Sequence, residues 1–115
     1  MKVLVCGGRD FKDRELVFEF LDNAHRENFF THVIHGGARG ADSLADEWAR
    51  SRGIQPVRCD ALWDTKAMSA GPIRNHRMLE LGPDMVIAFP GGSGTKHMVE
   101  SARSDPRITV IEVHG

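Results

Sequence analysis

Apolar and polar positions along this chain follow two alternating periods. Short apolar runs alternate with stretches of helical spacing, and three of the runs end at glycine pairs. Val3-Leu4-Val5 stops at Gly7-Gly8 and predicts a first strand. Asp13 is placed to cap a helix whose apolar face is Leu16, Val17, Phe20, Leu21 and Ala24. Val33-Ile34 stops at His35-Gly36-Gly37 and predicts a second strand. The next helix carries Leu44, Ala45, Trp48 and Ala49 on one face and ends at Gly53. Gln55 to Cys59 reads as a third strand, followed by an irregular connection from Asp60 to Ala70. Gly71-Pro72 opens a third helix, because proline suits the first turn, and Gly82-Pro83 closes it. Met85-Val86-Ile87-Ala88-Phe89 is the most apolar run and predicts a central strand buried on both faces. A fourth helix carries Thr95, Met98, Val99 and Ala102, and Ile108 to Val113 is the last strand.

This βαβαβαβαβ alternation predicts an α/β fold of three αβα layers, a five-stranded parallel sheet with helices on both faces. The expected strand order is 3-2-1-4-5, with 2-1-3-4-5 as its close relative. The first order makes strands 1 and 4 neighbours, and each of these is followed by paired glycines. The chain then reverses direction between them, and open α/β sheets bind ligands in that crevice, at the carboxyl ends of the strands.

With 115 residues, the chain fits one domain spanning 1–115. A formal net charge of -1 argues against a general nucleic-acid binder, which carries a basic excess. Cys6 and Cys59 form no CxxC pair and, on strands that flank a third, stand too far apart for a disulfide. They are expected to be reduced. The first residues run straight into a strand pattern, and no apolar run approaches membrane-spanning length. The expected location is the cytoplasm, with no membrane partner.

Four segments carry candidate chemistry. Gly91-Gly92-Ser93-Gly94-Thr95 joins the central strand to a helix. Glycines let backbone N–H groups converge on an anion, the helix N-terminus adds partial positive charge, and Ser93 and Thr95 add hydroxyls. Lys96 follows Thr95, so this is not a Walker A loop, in which lysine precedes the hydroxyl residue. The other reading is a tight turn with a threonine cap. His35-Gly36-Gly37-Ala38-Arg39-Gly40-Ala41-Asp42 is a second such junction, where Gly36 and Gly37 offer backbone, Arg39 can reach the crevice and Asp42 or a neighbour can cap the helix. Gly7-Gly8-Arg9-Asp10 follows strand 1. Arg9 is suited to a phosphate or carboxylate, and Asp10 to a ribose hydroxyl, to holding Arg9 or to capping the turn. Arg74 and Asn75 begin the third helix and can face the same rim, and Trp63 can stack on a base or pack beneath its loop. The six histidines show no metal-ligand spacing, so no metal is expected.

Together these four motifs resemble the YspA-like branch of the SLOG superfamily, over nearly the whole chain. That superfamily joins DprA/Smf proteins with the Lonely Guy, lysine-decarboxylase-like proteins. The resemblance implies a Rossmann-like fold and a site for a nucleotide or nucleotide derivative, built from these loops, in a ligand sensor or nucleotide-processing protein. Proposed roles for this branch involve phage conflict or NAD and ADP-ribose metabolism. The resemblance also allows a homodimer. Lonely Guy enzymes resemble PGGxGTxxE, with the glutamate serving N-glycosidic hydrolysis, and the matching position here is Met98. Glu100 lies about 200° further round a helix and should point elsewhere.

The first expectation is therefore a binding module for a nucleoside phosphate or an ADP-ribose-like ligand, requiring no cofactor. The alternative is an N-glycosidic nucleotide hydrolase, for which Asp10 and Asp42 are the candidate carboxylates. A DprA-like binder of single-stranded DNA would need a basic, aromatic-lined groove, and the charge and composition disfavour it.

Overall fold

The computed structural model describes residues 1–59 and 76–114. In chain order it contains β1 (Lys2–Cys6), α1 (Arg14–Asn28), β2 (His32–His35), α2 (Ala41–Ser51), β3 (Gln55–Arg58), a helical stretch α3 (76–80), β4 (Met85–Ala88), α4 (Ser93–Arg103) and β5 (Thr109–Glu112). The described strands form one parallel sheet of order β3-β2-β1-β4-β5, the order expected from the sequence. Val3 is in register with Val33 on one side and Met85 on the other, so β1 is fully flanked. The fold is α/β and Rossmann-like.

Residue alternation in the strands divides the core in two. Val3, Val5, Val33, Met85 and Ile87 lie on the face covered by α1 and α2, with Val17, Leu21, Ala45 and Trp48. Leu4, Cys6, Ile34, Val86 and Ala88 lie on the other face, with Met78 from α3 and Met98, Val99 and Ala102 from α4. β4 is buried at every position, as its unbroken apolar run predicts. The strand ends at Ala88 rather than Phe89, whose ring is buried against Phe11 and Phe20.

The helix ends follow local chemistry. The Asp13 carboxylate accepts from the Leu16 N–H at 3.1 Å and caps α1. Gly53, at φ +69°, follows the last residues of α2. At the N-terminus of α2 the cap is a neighbour of Asp42 and not Asp42 itself. The cap residue is Gly40, with no side-chain cap bond, and Asp42 sits inside the helix.

Trp48 is fully buried, and its indole N–H donates to Asp22 Oδ1 at 2.8 Å. Arg52 holds the same carboxylate at both oxygens, Nε donating to Oδ1 and Nη2 to Oδ2. The Arg52 hydrogen bond lowers the Asp22 pKa to about 2, against partial burial and with help from the Trp48 N–H. That contribution to stability is complete above the ordinary carboxylate pKa and is lost as pH falls through about 2. Removing the carboxylate should cost more than the exposed ion pair is worth, because it strands a buried donor. An Asp22→Ala variant is expected to lose about 1–3 kcal/mol of stability in urea unfolding, whereas Arg52→Ala should lose no more than about 1.

Among the described residues, no helix is long and apolar enough to cross a membrane.

Candidate functional site

Three of the four expected segments meet at the carboxyl ends of β1, β2 and β4. Residues 7–10 lie in the middle and touch both others through backbone. Gly8 N–H donates to Pro90 O at 2.8 Å, and Gly8 O accepts from Ala41 N at 3.2 Å and Phe11 N at 3.3 Å. There is no room for side chains at these crossings. A methyl at Gly7 would stand 2.5 Å from Ala41 Cβ, and one at Gly91 would stand 2.6 Å from Gly8 N. Gly40 combines a φ of +81° with Gly8 O and Arg9 O packed against its Cα. Much of the glycine in these loops thus serves to bring three backbones together.

The loops differ in the charge that the chain itself brings to them. In the second loop the chain supplies its own anion. Asp42, buried in the first turn of α2, accepts from Gly36 N at 3.0 Å and Ala38 N at 3.3 Å. Gly37 N–H donates to His35 Nδ1 at 3.1 Å. Such a nest of N–H groups is the arrangement that binds phosphate in other proteins, and here a carboxylate fills it. Asp42 consequently acts as a loop-positioning residue in this structure.

The glycine loop after β4 is different. Gly92 is the N-cap of α4, and no side-chain cap bond is made there among the described residues. Ser93, Gly94 and Thr95 form its first turn, and nothing among the described residues lies within 4 Å of where a Cβ would stand on Gly92 or Gly94. The first turns of α1 and α2 contain Glu15 and Asp42, respectively, whereas that of α4 has no acidic residue and is followed by Lys96. The other reading, a turn with a threonine cap, finds no such cap bond among the described residues. Beside this loop a groove of about 310 Å³ runs between α4 and the end of β5, lined by Gly91, Gly92, Thr95, Lys96, Glu100 and His114 among others.

The charged candidates stand at the rim. Asp10 is 90% exposed and pairs with Arg39, itself 77% exposed, at 3.3 Å. Asp10 therefore holds Arg39 rather than Arg9, and this pair links the first two loops. Arg9 is exposed and makes no salt bridge among the described residues. Arg74, Asn75, Gly71, Pro72 and Trp63 lie outside the described residues.

Met98, at the position where the related hydrolases resemble a glutamate site, is 1% exposed and packs in the core with Leu4 and Cys6. Glu100 lines the groove instead. Burial, with Asp42 and Glu112 adding to it, pushes the Cys6 thiol up to about 12, so it is no nucleophile at neutral pH. Neither Cys6 nor Cys59 forms a disulfide among the described residues. Among the described residues no three His, Cys, Asp or Glu side chains gather as a metal site.

The sequence reading passed over His35. It is 2% exposed and bonds to Asp46 Oδ2 through Nε2 at 2.7 Å. A polar residue ending an apolar strand, eleven positions before an aspartate on the next helix, was the available signal. Burial would raise the Asp46 pKa, but hydrogen bonds from Arg50 and His35 outweigh it and lower the value.

The sequence profile of the family described as "YspA, cpYpsA-related SLOG family" matches residues 1–65, which include the first two loops. The Gene 61 protein of Mycobacterium phage D29 is 41% identical over 110 residues, covering 89% of this chain and 88% of that protein. By the profile match over more than half its length and this full-length likeness, the chain belongs to the YspA, cpYpsA-related SLOG family.

Proposed function

We propose that this protein binds a nucleotide or nucleotide derivative, a nucleoside phosphate or an ADP-ribose-like molecule, with a phosphate on the first turn of α4. The observation that carries this reading is the N-terminus of α4, which begins at a glycine, has no side-chain cap bond among the described residues and has no acid in its first turn. Helix N-termini of this kind suit anions through their N–H groups and dipole. Arg9, Arg39 and Lys96 supply cationic side chains nearby in the fold, and the family assignment is in keeping with such a ligand. A role as ligand sensor fits better than hydrolysis: Met98 is packed in the core, and Asp42 is engaged by its own loop.

The test is thermal unfolding with a panel that includes AMP, ADP-ribose and inorganic phosphate, followed by chromatography for released base. A binder is stabilised by about 2.7 kcal/mol at a ligand concentration one hundred times Kd, with no base released. Release of base that disappears in Asp10→Asn would establish the hydrolase reading instead. No stabilisation by any member of the panel would refute binding.

A further inference from the structure

The buried ring of His35 lies directly beneath the second glycine loop, and both of its nitrogens are engaged. Gly37 N–H points at Nδ1, so Nδ1 is the acceptor and the ring proton sits on Nε2. That proton is donated to Asp46 Oδ2 at 2.7 Å. The two bonds respond oppositely to a second proton. On the Nε2 side a charged imidazolium strengthens its bond to the Asp46 carboxylate. On the Nδ1 side it places N–H against N–H, and the Gly37 bond can no longer exist.

From this asymmetry we propose that His35 is a proton-sensitive tether of loop 36–40: protonation of Nδ1 releases Gly37 while Asp46 keeps the ring in place. The groups around the ring are compatible with such a switch. From α2 it faces Asp46, which Arg50 also holds, and Asp42 lies one turn earlier. On β3 its register partner is Arg58. β1 contributes apolar Val3 and Val5 to the face on which Val33 lies. In the loop itself, Arg39 pairs with Asp10.

The released segment is short, and its neighbours limit the movement. Gly36 and Ala38 remain bound to Asp42, and Gly40 remains packed on Gly8. The change concentrates at Gly37, whose φ of +73° is held next to its bond to the ring, and at Arg39 two residues on. Protonation would thereby change where Arg39 stands relative to Asp10 at the rim. The consequence for ligand affinity rests on the proposed nucleotide site, but the loop movement does not.

The experiment is a nitrogen-15 NMR titration of the ligand-free full chain from pH 8 to pH 5, the range in which an imidazole changes charge. The His35 ring should start as the Nε2-protonated tautomer. As it gains a proton, the Gly37 amide should shift with the same midpoint and lose about tenfold of its protection from hydrogen exchange. His35→Asn, whose side-chain oxygen can still accept from Gly37 but does not titrate, should abolish the pH response at Gly37. An Nδ1-protonated ring at pH 8, a ring that stays neutral to pH 5, or a Gly37 amide that ignores ring protonation would overturn the proposal. So would a pH response of Gly37 that survives in His35→Asn. Affinity for AMP measured at both ends of the range reads the nucleotide site separately. A loop that moves without any AMP binding would count against the site and leave the tether standing.

Discussion

Gly92→Asp is expected to lower affinity for nucleotides at least about 100-fold while leaving the fold as stable as before, or up to about 1 kcal/mol more stable. The two effects have one cause. Gly92 is the N-cap of α4, has a negative φ of -98°, and faces open space. Aspartate is among the best N-cap residues, and its carboxylate complements the helix dipole. It would occupy the donors that the proposed phosphate uses and repel that phosphate as a like charge. Calorimetric titration with AMP and ADP-ribose measures the first effect, and urea unfolding the second. A variant that binds as well as the parent would place the phosphate elsewhere. Gly92→Asn provides the control: it caps the helix without the charge and should lose less affinity.

The largest loss of stability is expected from Gly40→Ala, about 3–5 kcal/mol in denaturant unfolding. Two costs add at this position. The residue has φ +81°, where a Cβ is strained, and the added methyl would run into Gly8 O and Arg9 O. Those atoms are backbone and cannot swing aside. Gly53→Ala provides the comparison, since its φ is +69° but nothing lies within 4 Å of its Cβ position. It should cost only about 1 kcal/mol. Equal losses at the two sites would mean that the three loops are less tightly joined than their contacts indicate.

These two glycines show how far the sequence could be read. Strand order followed from the alternating pattern and the glycine pairs after strands 1 and 4, because topology depends on hydrophobic period and connection length. The Asp13 cap was legible because capping is local. The roles of individual glycines were not. A glycine beside open space and one that admits another backbone look alike in sequence, and only the space around them separates Gly92 from Gly7 or Gly91. Of the caps that the sequence offered for α2, Asp42 or a neighbour, the structure takes Gly40, and the role of Asp42 was hidden for a related reason. Carboxylates at helix starts cap often, but this one reaches back to Gly36 and Ala38, which a one-dimensional pattern does not show. His35 was hidden among six histidines, since burial and an aspartate eleven residues on become visible only once β2 and α2 are packed. Arg74 and Asn75, placed on the same rim by sequence, lie outside the described residues.

The central claim is that the first turn of α4 receives a nucleotide phosphate. The most direct measurement is the change in backbone amide shifts on titrating the protein with AMP and ADP-ribose at neutral pH. The account predicts the largest changes at residues 92–95, smaller ones at Arg9 and Arg39, and little at Gly36 and Ala38, whose N–H groups Asp42 already holds. Saturating ligand that leaves residues 92–95 unmoved, or moves Gly36 and Ala38 most, would contradict it.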